Sequence, residues 1–89
     1  METQQDDRDY DPMLYDVMRE LATQVCGRYI AWADEAATPS EDQHWADEAL
    51  RVYQQVQAVD ARSLAAVQEH TAALREILAT LPAHAPAVA

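Results

Sequence analysis

The residues best spaced for chemistry in this chain are Glu41 and His44, with Glu48 one helical turn further on. On a helix these three share a face, and Glu-x-x-His is the unit with which carboxylate-bridged metal bundles hold their ions. Asp34 and Glu35 precede them across a short Pro-containing connection. Such metal sites draw two of these units and further carboxylates from four helices. Here there is one unit, while His70 falls on a later segment and His84 in the closing stretch. A carboxylate/His metal-binding helical protein is therefore the last of three readings, and neither a metal ligand set nor a cofactor is expected.

Nucleophilic chemistry finds less support. Ser40 and Ser63 are the only serines, and both stand where a helix start would use the hydroxyl as a cap. A single glycine, Gly27, rules out nucleotide-binding loops and nucleophile elbows, which need several. Cys26 lies beside an apolar stripe and reads as a small buried thiol. Being the only cysteine, it forms no internal disulfide. Short, acidic, helical chains include acyl carrier proteins, whose prosthetic serine stands in an Asp-Ser-Leu context. Arg62-Ser63-Leu64 lacks the aspartate and lies too near the C-terminus, so that reading is set aside. No catalytic residue is assigned and the chain is not expected to be an enzyme.

The charge balance narrows the partners. Sixteen acidic residues stand against six arginines and no lysine in 89 residues, a net charge of −10. Such a chain is repelled by nucleic acid and by anionic membrane surfaces, so neither is expected as a direct partner. Asp34, Glu35, Glu41, Asp42, Asp47 and Glu48 cluster around the first connection. They carry the second reading, an acidic inhibitor that imitates nucleic acid and occupies the basic groove of a DNA- or RNA-binding protein. No apolar run approaches a membrane span and no basic leader precedes one, so a cytoplasmic location is expected. Arginine and alanine without lysine suggest a GC-rich bacterial genome.

The elements that position these residues are helices. Residues 1–11 are polar and acidic and read as a disordered arm. Asp11-Pro12 supplies an N-cap and a first-turn proline, opening a helix over 12–37 with the stripe Leu14, Met18, Leu21, Val25, Tyr29 and Trp32. Thr38-Pro39-Ser40-Glu41 is a capping box, with Ser40 and Gln43 as a second register. It starts a helix over 39–58 whose seam is Trp45, Ala49, Val52, Val56 and Val59. Asp60 is the expected cap of a third helix over 61–81, carrying Leu64, Val67, Thr71, Leu74, Leu78 and Leu81. Pro82 ends it, and 82–89 reads as a flexible tail. Three such stripes joined by short connections give an all-α, antiparallel up-down-up three-helix bundle spanning 12–81.

Folding the first two helices about residues 38–39 sets Trp32 against Trp45, Val25 against Val52, Leu21 against Val56 and Met18 against Val59. Folding about Asp60 adds Leu64 to Val56, and Val67 to Val52 or Tyr53. Arg28 stands on the first seam opposite Ala49, where its stem is expected to cover the alanine on the way to Glu48. Gly27 inside a helix costs about 1 kcal/mol relative to alanine and signals a close helix contact or a bend. The first helix also overhangs the turn between the other two by roughly 9 Å at the α-helical rise, and Met13, Leu14, Tyr15 and Val17 lie on the overhang. Surplus apolar surface of this kind marks protein contacts. The leading expectation is a non-catalytic interaction module that binds a protein partner, or a second copy of itself, through those four residues.

Overall fold

The computed structural model describes residues 10–88 and contains three α-helices: α1 (Met13–Glu35), α2 (Pro39–Gln57) and α3 (Leu64–Thr80). Each boundary follows from local chemistry. Asp11 accepts a hydrogen bond from Met13 N at 2.9 Å, although Pro12 itself occupies the cap position of α1. Thr38 caps α2 by accepting from Glu41 N at 3.1 Å. The Glu41 carboxylate reaches back to Ala37 N at 3.2 Å, which completes the box one residue beyond the cap. The alternative register is unused, since Gln43 donates to Asp47 at 2.7 Å instead.

The third helix starts later than its sequence suggests. Asp60 accepts from Arg62 N at 2.9 Å and Ser63 N donates to the Asp60 carbonyl, so Asp60 closes a turn and does not cap. The cap passes to Ser63, whose hydroxyl accepts from Ala66 N at 3.2 Å. At the other end, Leu81 is extended, as a residue before proline prefers.

The three stripes converge as expected. Met18, Val25 and Val67 are fully buried, and Ala22, Val52, Val56 and Leu74 complete one core cluster. Thr71, also buried, satisfies its hydroxyl on the Val67 carbonyl at 2.7 Å. The central element is α1, which packs against both α2 and α3. Among the described residues α2 and α3 do not pack closely on each other as the sequence register suggests; Val52, Val56 and Val67 belong to one core cluster built around α1, and Tyr53 stays in solvent. A second cluster closes one end of the bundle: Trp32, Ala33 and Trp45 are buried, with Tyr29, Leu81 and Val88 packed on them.

Three sequence expectations are relocated. The arm over 1–11 falls mainly outside the described residues. Its last part, Tyr10, packs against the core and donates its hydroxyl to the Ala61 carbonyl. The segment after Pro82 carries no helix, yet it returns across the tryptophan end and seats Val88 there. Arg28 does not reach Glu48. Its Nη1 donates to the Pro82 carbonyl at 3.0 Å, while Glu48 pairs with Arg51 at 3.3 Å. Arg28 thus ties the middle of α1 to the end of α3, where unpaired carbonyls attract a cation.

Candidate functional site

The four overhang residues do not form one exposed patch. Met13 is 60% exposed, but Leu14 and Tyr15 are half-buried against the main core. Val17 is half-buried as well, in a shallow groove with Leu14, Gln68, Thr71 and Arg75. Two neighbours account for this. Leu14 and Val17 lie along α3 beside Gln68, Thr71 and Arg75, and Tyr15 lies beside Tyr10, Ala61 and Arg62, where Tyr10 bonds the Ala61 carbonyl.

The exposed apolar surface lies elsewhere. Among the described residues, Ile30 (51%), Leu50 (51%) and Tyr53 (57%) are the other large hydrophobic side chains in solvent. All three line one groove between α1 and α2, with Cys26, Ala46 and Ala49 between them. The groove continues along the same two helices past Gly27, Ala22 and Val56 to Thr23 and Arg19. The pattern behind it is a second stripe on each helix. On α1, residues 19, 23, 26, 27, 30 and 34 fall within a sector of about 100° at 3.6 residues per turn. On α2, residues 46, 50, 53 and 57 repeat at 4, 3 and 4. Periodicity alone does not single out these stripes, because the core-facing seams already account for each helix. The retrievable signal is a large apolar residue beside each seam: Ile30 next to Tyr29, Leu50 next to Ala49, and Tyr53 next to Val52.

The floor of this face is inert. Cys26 Sγ donates to the Ala49 carbonyl at 3.4 Å. Burial pushes its pKa above the ordinary thiol value of 9.0, against a smaller lowering by a backbone hydrogen bond from Tyr53. It is therefore a protonated thiol at neutral pH, poorly suited to nucleophilic attack. Gly27 is neither a close contact nor a bend within this chain. A Cβ built there meets nothing within 4 Å, its φ is not positive, and helix α1 runs through it unbroken.

The acidic residues around the first connection are partly committed to local structure. Glu41 completes the α2 capping box, Asp47 holds Gln43, and Glu48 pairs with Arg51. Asp34, Glu35 and Asp42 are exposed. His44 sets its ring edge-to-face on Trp45 at 4.5 Å, so Glu41, His44 and Glu48 each have another occupation. Among the described residues, no three His, Cys, Asp or Glu side chains come together as a metal-binding group. Among the described residues, no helix is long and apolar enough to cross a membrane.

The Trp32–Trp45 contact is mutual packing, with centroids 4.8 Å apart at 73°. Tyr29 stacks on Trp45 at 5.7 Å and meets Trp32 edge-on. Trp32 Nε1 and His70 Nε2 are buried without a hydrogen-bond partner among the described residues. Comparison of the chain with protein-family models, with curated proteins and with solved structures finds no match.

Proposed function

We propose that this protein is a non-catalytic interaction module that binds another protein surface through the outer face of α1 and α2. The observation that carries this reading is the placement of Ile30, Leu50 and Tyr53. Three large apolar side chains, each more than half exposed, line a single groove. Exposed apolar residues scattered singly need no explanation, whereas a contiguous set along a groove has the composition of an interface core. Glycine at position 27 fits the same reading. It weakens α1 by about 1 kcal/mol and serves no packing need inside the chain, but it lets an outside element approach the helix backbone.

The acidic-inhibitor reading has less behind it. Glu41, Asp47 and Glu48 are engaged within the chain, which leaves Asp34, Glu35 and Asp42 as its free carriers.

Site-specific photo-cross-linking tests the binding reading. A benzophenone side chain replaces Leu50 in one variant and Met13 in another, and each is irradiated in the native cell. The expected result is a discrete adduct from position 50 and little from position 13. Absence of any adduct from position 50 would overturn the reading, whatever the partner.

A further inference from the structure

We infer that the occupant of this face is a second copy of the chain, laid antiparallel across it about a two-fold axis beside Cys26 and Gly27. The inference rests on the reading of the α1–α2 face as an interface.

Its first support is the symmetry of the α1 stripe. The steps between Arg19, Thr23, Cys26, Gly27, Ile30 and Asp34 are 4, 3, 1, 3 and 4, the same from either end. Such spacing lets the stripe be laid on itself in reverse, and a two-fold interface further requires that the residue types match across it, because each contact occurs twice with the roles exchanged. Antiparallel pairing about the midpoint sets Cys26 against Gly27 of the second copy, where the missing Cβ permits close approach. It sets Ile30 over Thr23, and Arg19 against Asp34.

The second support is charge. Arg19 lines one end of the groove, and helical spacing places Asp34 in the same sector of α1 beyond the other end; both are exposed. Neither side chain has an ion-pair or hydrogen-bond partner among the described residues. Reversing one copy on the other brings each to its opposite, twice over. Charge complementarity of this kind fixes orientation more than it adds affinity.

The third support is that α2 obeys the same axis. The bond from Cys26 to the Ala49 carbonyl and the Trp32–Trp45 contact fix the antiparallel register of the two helices, so the α1 midpoint lies beside Ala49 and Leu50. Leu50 then meets its own counterpart near the axis. Each Tyr53 lies over Ala46 and Ala49 of the second copy, a large residue on two small ones. Both helices pair in one operation, giving a four-helix layer with α3 on the outside.

The face is small. About fifteen residues of rise, two helices wide, give roughly 450 Å² per copy, short of the ~800 Å² of a standard stable interface. Two chains of charge −10 also repel. The pairing is accordingly weak and reversible.

Sedimentation velocity of the full chain over a roughly hundred-fold concentration range reads the equilibrium directly. A monomer–dimer transition is expected. Ile30→Asp should weaken it by about ten-fold or more, as loss of a central anchor does, with unchanged helicity. Arg19→Asp and Asp34→Arg should each weaken it, while an equimolar mixture of the two single variants should associate more tightly than either alone. Only antiparallel juxtaposition of these positions yields that rescue. A chain that stays monomeric throughout, or a dimer indifferent to Ile30→Asp and to the charge reversals, overturns the inference. So does a cross-linked adduct from position 50 with a different protein and not with this chain, although that result leaves the binding reading standing.

Discussion

Trp32 and Trp45 meet edge to face, with ring centroids 4.8 Å apart, at the end of the bundle where α1 turns into α2. The contact sets the register of the two helices, because each indole is buried by the other and by Tyr29. It also contains a mismatch, since Trp32 Nε1 is buried without an acceptor.

The two tryptophans should therefore respond differently to substitution. Trp45→Ala empties a large packed volume and is expected to cost about 3–5 kcal/mol. Trp32→Phe loses bulk but also removes an unsatisfied donor, whose burial costs about 1–3 kcal/mol. It should be the milder change by a wide margin. Urea unfolding of the two variants, followed by circular dichroism, checks the order.

Arg28 supplies a second prediction. Its bond to the Pro82 carbonyl joins α1 to the end of α3, and Glu48 plays no part in it. Arg28→Ala is expected to lower stability by about 1 kcal/mol, the size of a typical net hydrogen bond. Glu48→Gln should leave the Arg28 contribution intact, so the two substitutions should add without coupling in a double-mutant cycle.

Most of the fold was legible from periodicity. The residues placed on the three seams are the buried or half-buried ones, from Met18 and Val25 to Val67 and Leu74. What escaped were decisions between equivalent local chemistries. Asp60 and Ser63 can both begin α3, and only the turn that Asp60 closes hands the cap to Ser63. That shift lengthens the connection and brings Ala61 and Arg62 beside Tyr15, while α3 itself borders Leu14 and Val17, so the overhang is not left bare. Ile30, Leu50 and Tyr53 were readable as apolar residues. Their meeting in one groove depends on how α1 and α2 are rotated about their axes, which spacing within one helix does not specify.

Gly27 gives a stability prediction of opposite sign. A Cβ there enters open space, so Gly27→Ala should stabilise the chain by about 1 kcal/mol through helix propensity. For a domain of this size that corresponds to a rise in melting temperature of roughly 4–8 °C. Thermal unfolding at a dilution where copies do not pair isolates the effect. A fall in melting temperature would mean that position 27 makes a contact the structure does not show.

The alkaline limb of stability should carry the signature of two partly buried groups. Burial raises Cys26 above 9.0, and burial, then Glu48, then Cys26 raise Tyr29 above 10.0. Each group holds its proton more tightly folded than unfolded. The resulting stabilisation is complete below the unfolded-state values and is lost as pH rises through the folded ones. Stability is thus expected to decline from about pH 9 upwards. Tyr29→Phe combined with Cys26→Ser should flatten that decline in denaturant titrations at successive pH values.

The central claim, that the outer face of α1 and α2 is the working surface, is tested most directly by methyl NMR. Spectra of the isotope-labelled chain are recorded as its own concentration is raised, and again on adding any partner that cross-links. The expected result is shifts concentrated on Ile30, Leu50 and the methyls of Ala46 and Ala49, with Met13 and Leu14 unmoved. Shifts centred on Met13 and Leu14, with Ile30 and Leu50 unchanged, would contradict the account and return the binding surface to the start of α1.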